Sequence, residues 1–142
     1  SAMNNMFTLD DLYMYFKQSF TNISKLLQSK SIYAVNDSVE KVQIYIKNNY
    51  QKNLTQDFIA SLFYLNRSYL STAFRKKTGV KFIDYLNDVR IEAAEALLEK
   101  SDKKMSYIAS AVGYDNVKYF FRIFKKRVGL TPEEYRQRLR AE

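Results

Sequence analysis

Two runs of this sequence set cations, hydroxyls and apolar groups at spacings of one, three and four, which places them on one face of a helix. The first carries Arg67, Ser68, Ser71, Thr72 and Arg75; the second carries Val117, Lys118, Phe121, Arg122 and Lys125, with Lys126 beside them. This is chemistry for reading a DNA duplex. Arg122 can make a paired contact to guanine, Lys118 can reach a base edge or a phosphate, and Val117 and Phe121 can touch thymine methyls in the major groove. Ser68, Ser71 and Thr72 can bond either phosphate or base, so the first run should discriminate less. Arg67, Arg75, Lys125 and Lys126 are expected to hold phosphates, which positions the protein without conveying sequence. The plainer alternative for Lys125 and Lys126 is a solvated charged face.

Composition narrows the other options. The 142 residues carry a formal charge of +8, which favours a polyanionic partner. With no Cys and no His, disulfides, thiolate nucleophiles, imidazole bases and the common zinc ligand sets are all out of reach. Asp10-Asp11 and Glu133-Glu134 are adjacent pairs, and neighbours on a helix do not share a face. No catalytic residue, cofactor or metal is therefore expected, and the chain does not read as an enzyme. No apolar run approaches the ~20 residues of a membrane span, and no secretory signal opens the chain. A cytoplasmic setting is expected, and Ser1-Ala2-Met3 reads as a tag remnant on a piece of a larger protein.

The elements that must position the two runs are helices. One Pro and three Gly leave few breakers, 46% of the residues are hydrophobic, and apolar residues recur every three or four positions. A first helix is expected over Leu9–Gln28 behind a Thr8 cap. Its Leu9, Leu12, Phe16, Ile23 and Leu26 follow a heptad spacing, broken at Ser19 with Phe20 alongside, which fits either a coiled coil or a helix docked on its own domain. Ser29–Asp37 reads as a polar linker. Helices then follow over Ser38–Asn49, from Thr55, over Arg67–Lys77, over Phe82–Glu99, over Ser106–Val112 and over Asn116–Arg127. A last one starts at the capping box of Thr131-Pro132-Glu133-Glu134. The long helix is expected to align Phe82, Leu86, Val89, Ala93 and Leu97 on one face. In the second run, Phe120, Ile123 and Phe124 should face the core, with Tyr119 at its edge.

The two runs belong to a duplicated unit. Ile59-Ala60-Ser61 returns as Ile108-Ala109-Ser110, and after one extra residue Asn66 matches Asn116, Phe74 matches Phe124, Gly79 matches Gly129 and Tyr85 matches Tyr135. Each unit is a short helix, a tight turn and a longer basic helix, the pattern of a helix-turn-helix whose second helix enters the major groove. The helix between the units, about 18 residues, spans roughly 27 Å. That would let two recognition helices enter successive major grooves, with some bending of the DNA. A basic helical module that binds an acidic protein or a membrane surface is the alternative, and the duplication argues against it.

"FIDYLNDVRIEAAEALL" followed by "IASAVGYDNVKYFFRIFKKRVGLTPEEYR" resembles the signature of the AraC/XylS family of bacterial transcription regulators, over about Asn36 to Arg140. The resemblance implies an all-α fold: a seven-helix DNA-binding domain of two helix-turn-helix units joined by a long central helix, with an N-terminal linker helix before it. On this reading 1–35 holds the tag remnant and linker helix, and 36–142 the DNA-binding domain, with its units at about 55–78 and 106–128. By position, the base-reading places would be Ser68, Ser71, Thr72, Val117, Lys118, Phe121 and Arg122. The implied partners are double-stranded promoter DNA and RNA polymerase. Pairing of two copies would run through the N-terminal helix or a missing regulatory domain, and the first helix is in the style of the response-regulator branch. The bulky first turn, Phe63-Tyr64-Leu65, departs from the family's commoner pattern.

Overall fold

The structure, a computed structural model, describes residues 8–142, the side chains of 27–37 excepted. The expected tag remnant lies outside the described residues. Among those residues the protein is seven helices with no strand: α1 (Leu9–Asn49), α2 (Gln56–Leu62), α3 (Arg67–Thr78), α4 (Phe82–Lys100), α5 (Met105–Ala111), α6 (Val117–Val128) and α7 (Pro132–Ala141). None is long and apolar enough to cross a membrane. The chain divides into two compact units, Ser1–Asp37 and Ser38–Glu142.

In the first unit, α1 begins with a reciprocal cap. The Asp11 N–H donates to Thr8 Oγ1 at 3.1 Å, and the Thr8 N–H donates to the Asp11 carboxylate at 3.0 Å. The hydrogen bonds from Thr8, the backbone one foremost, hold the Asp11 carboxyl below its ordinary pKa. Leu9, Leu12, Phe16, Phe20, Ile23 and Leu26 are all exposed. The linker expected over Ser29–Asp37 does not interrupt the helix, and α1 is helical through those positions. The stretch is polar only at its ends, carries Ile32, Tyr33, Ala34 and Val35 between them, and has neither Gly nor Pro to end a helix. Expected as two helices, this part of the chain is one element.

The second unit holds two hydrophobic cores. The first gathers Val39, Val42 and Ile46 from α1, Ile59 and Ala60 from α2, Leu70 and Phe74 from α3, and Phe82 and Leu86 from α4. The second gathers Ile91, Ala94 and Leu98 from α4 with Ile108 and Ala109 from α5, Val112 and Tyr114 from the turn after it, and Phe120, Ile123 and Phe124 from α6. Thus α4 belongs to both, and this corrects the single stripe read from the sequence. Phe82 and Leu86 are buried, but Val89, Ala93 and Leu97 are only half-buried, and the buried line passes to Arg90, Ile91, Ala94 and Leu98. A helix shared by two cores must bury more than one stripe, so its periodicity is diluted.

Helix ends follow the chemistry of their caps. Thr55, Asn66, Asn116 and Thr131 each accept a backbone N–H from the first turn of the helix they open. Thr131 and Glu134 close the capping box, and α3 and α6 each stop at a left-handed glycine, Gly79 and Gly129. Gly113 is a different case. It has φ +106°, and a Cβ there would lie 2.6 Å from the Tyr50 carbonyl oxygen and 2.8 Å from Arg90 Nε. At Gly79 nothing stands within 4 Å of the same atom. Gly79→Ala should therefore cost only the left-handed strain, about 1–2 kcal/mol. Gly113→Ala should cost about 2–5 kcal/mol, because overpacking adds to that strain. Urea denaturation of the two variants against the parent measures the difference, and equal losses would contradict the close approach.

Candidate nucleic-acid interface

The two short-helix, turn, long-helix units share a backbone as well as a sequence pattern. In the first, the N–H of Leu65 reaches back to the carbonyl of Ala60 at 2.8 Å and that of Tyr64 to Ser61 at 3.2 Å. In the second, Tyr114 reaches Ala109 at 2.8 Å and Gly113 reaches Ser110 at 3.1 Å. Both turns put a left-handed residue five positions after the isoleucine: Tyr64 at φ +55° and Gly113. A tyrosine there costs about 1–2 kcal/mol of backbone strain. It is tolerated because Phe63 and Leu65 on either side pack on the first core while the Tyr64 ring is 97% exposed. The bulky first turn thus keeps the geometry of the second. Ala60 and Ala109, both buried, let the paired helices cross closely.

The long helices bury their large apolar groups. In α3, Leu70 and Phe74 are fully buried; in α6, Phe120 and Phe124 are fully buried and Ile123 nearly so. Aromatic packing continues outward from α6, with Phe124 against Tyr135 at 5.6 Å and Phe120 against Tyr114 at 5.5 Å between ring centres. What remains on the open side of α3 is Arg67, Ser68, Ser71, Thr72 and Arg75, all exposed. The Thr72 hydroxyl donates to the Ser68 carbonyl at 3.0 Å, and Arg67 pairs with Asp57 of α2 at 3.2 Å. Both members of that ion pair are exposed, so it is worth at most about 1 kcal/mol and yields readily to another anion.

On α6 the open side carries Lys118, Arg122, Lys125 and Lys126, all exposed. The Arg122 guanidinium lies 5.1 Å over the Tyr119 ring, which braces it on the helix without using its hydrogen-bond donors. Val117 and Phe121 are half-buried and pack on the second core, the Phe121 ring 5.9 Å from that of Phe120. The sequence reading places both outward; the structure gives each of them two sides.

The polar contacts that hold these helices in place are missing from the sequence reading. Arg127, in the last turn of α6, turns back to the Asp88 and Asp84 carboxylates of α4. Tyr135 donates its hydroxyl toward Glu95 and Glu99, at 3.3 and 3.0 Å; burial first, then the Glu99 carboxylate, pushes its pKa up to about 12. Arg136 donates to the carbonyls of Lys103 at 2.7 Å and Ser101 at 3.1 Å. Asn87 and Arg90 are the two buried polar residues of α4. Their signal in the sequence was faint but present, since Arg90 stands at four-residue spacing between Leu86 and Ala94, on a stripe that is otherwise apolar.

Comparison with known proteins agrees with this architecture. A family model described as a helix-turn-helix domain matches residues 59–138. The HTH-type transcriptional regulator YijO of Escherichia coli is 36% identical over 103 residues, 72% of this chain and 36% of YijO, so the chain spans about a third of that relative's length. Among solved structures, the C-terminal domain of the two-component response regulator yesN from Fusobacterium nucleatum is similar at 37% identity and a TM-score of 0.66. That match covers 68% of this chain and 95% of that one. The C-terminal domain of AraT, a response regulator from Geobacillus stearothermophilus, is similar at 33% identity and a TM-score of 0.69, covering 70% of this chain and 84% of that one.

The two phenylalanines of α6 should separate in stability. Phe124→Ala opens a cavity in the second core and should cost about 3–5 kcal/mol. Phe121→Ala removes a half-buried ring and should cost roughly half of that or less. Thermal melts followed by circular dichroism decide it. Equal losses would place Phe121 wholly in the core.

Proposed function

The chain belongs to the AraC-type family of helix-turn-helix transcription regulators, and on that premise we propose that it reads two adjacent major-groove segments of promoter DNA, one with α3 and one with α6. The observation that carries the reading is the sorting of each long helix. Its large apolar groups go into a core, while a continuous row of cations and hydroxyls stays open at the end that follows a tight turn. Ser68, Ser71 and Thr72 contact bases in the first segment; Val117, Lys118, Phe121 and Arg122 do so in the second. Phe121 is supported in this role by its half-exposure, which leaves a ring edge for a thymine methyl. Arg67, Arg75, Lys125 and Lys126 hold phosphates, Arg67 by leaving Asp57.

In this reading residues 36–142 are the DNA-binding domain, with its helix-turn-helix units at about 55–78 and 106–128, and 1–35 carry the linker helix. The setting is the cytoplasm, where promoter DNA is met, and RNA polymerase is the second partner that family membership implies. Pairing of two copies through Leu9, Leu12, Phe16, Phe20, Ile23 and Leu26 is supported by the exposure of all six. Sedimentation of the chain against a version beginning at residue 36 tests that pairing. A shift from two copies to one is expected, and one copy in both cases rejects it.

DNA recovered by selection from a random pool, then titrated by fluorescence anisotropy, tests the main reading. Specific affinity should exceed that for scrambled DNA and fall with salt, each phosphate contact contributing about −0.9 to the log–log slope. Arg122→Ala should cost about 1–3 kcal/mol on the selected sequence and little on scrambled DNA. Lys125→Ala should weaken both alike and make the slope shallower by about one. If selection returns no preferred sequence, the proposal is wrong.

A further inference from the structure

The two cores of the second unit meet at a polar node. Arg90, on α4 between them, is only 8% exposed. Its Nε donates to the Tyr50 carbonyl at 2.8 Å and a terminal nitrogen donates to the Lys52 carbonyl at 2.8 Å. Both acceptors lie in the turn just past the C-terminal end of α1, Tyr50 next to its last residue Asn49 and Lys52 two positions further on, where the backbone dipole of the helix favours a cation. The same guanidinium lies 5.2 Å over the Tyr114 ring, and the Tyr114 hydroxyl donates to Asn87 Oδ1 at 2.7 Å. Gly113 closes the node, leaving no room for a Cβ between Tyr50 and Arg90. Burial lowers the Arg90 pKa, with Tyr114 and Asp115 among the groups that oppose the shift.

The consequence is geometric. Tyr50 packs on both cores, and Arg90 fastens the stretch just after α1 to the turn that precedes α6. Tyr114, the far side of that clasp, touches Tyr119 and Phe120 in the first turn of α6. Without the clasp, the units would be joined mainly by α4, and the small angular play of two separately packed cores would be left open.

We propose that Arg90 is a positioning residue for DNA spacing: by fixing the angle between α3 and α6, it makes the protein measure the separation of the two segments it reads. The inference rests on the reading that both units bind DNA. One inserted base pair moves the second segment by about 3.4 Å and turns it by roughly 35° around the duplex. A locked pair of helices can follow only by deforming the DNA, whereas a loosened pair follows by moving itself.

The test uses the full chain and the selected DNA, with one or two base pairs inserted or removed between the two protected segments. The parent protein should lose about 10-fold or more in affinity at each off-length spacing. Arg90→Met should bind the optimal length more weakly and lose no more than about 3-fold at the others. Val42→Ala, a first-core variant of matching instability, should keep the steep profile. Tyr114→Phe, which keeps the ring and drops its hydroxyl, should flatten the profile part of the way and carries the test if Arg90→Met does not fold.

A parent profile that is flat, variant profiles as steep as the parent's, or equal flattening by Val42→Ala each overturns the spacing role while leaving the DNA-binding reading intact. Failure of the parent to prefer the selected DNA over scrambled DNA overturns both.

Discussion

A guanidinium taken out of water must find acceptors, and Arg90 finds them in two carbonyls of the turn just past α1 and in the face of Tyr114. Much else follows from meeting that requirement. The carbonyls are available because α1 ends there. Tyr114 is in reach because the second turn brings it back over α4, and Gly113 is needed because the approach leaves no space for a side chain. An apolar residue in place of Arg90 would leave the Tyr50 and Lys52 carbonyls without these donors. The polar contact is therefore less a source of net stability than a constraint on arrangement, admitting one relation between the two helix-turn-helix units.

Around that centre the duplicated scaffold is used for two kinds of surface. Turn hydrogen bonds, left-handed residues, asparagine caps and terminal glycines repeat almost position for position. The open faces do not repeat. The first presents hydroxyls with an arginine held lightly by Asp57; the second presents long cations beside half-buried apolar groups. Because the backbone is set by buried residues, the exposed ones are free to differ. That freedom is what lets one scaffold carry two different open faces.

The C-terminal elements serve the second face rather than forming one of their own. Arg127 leans on Asp84 and Asp88, Tyr135 on Glu95 and Glu99, and Arg136 on the carbonyls that follow α4. The first two tie α6 and α7 to the central helix, and the third ties α7 to the loop that follows it. A basic helix so fixed presents Lys118 and Arg122 from a backbone whose position is already set.

The amino-acid sequence by itself determined the helices, the duplication, the caps and the sorting of α6 into Phe120, Ile123 and Phe124 against Lys118 and Arg122. These are local matters of spacing and cap chemistry, legible within a turn or two of chain. It misled where locality fails. A stretch with polar ends but without Gly or Pro read as a linker and stayed helical, and α4 read as one stripe because its two cores come from segments far apart in sequence. Only the tertiary structure decided that Val117 and Phe121 are half-buried, that Arg127 faces α4, and that Arg90 joins Tyr50, Lys52 and Tyr114. Those partners lie 24 to 40 residues from Arg90 along the chain, and no periodic pattern in one helix can announce an acceptor that another helix end supplies.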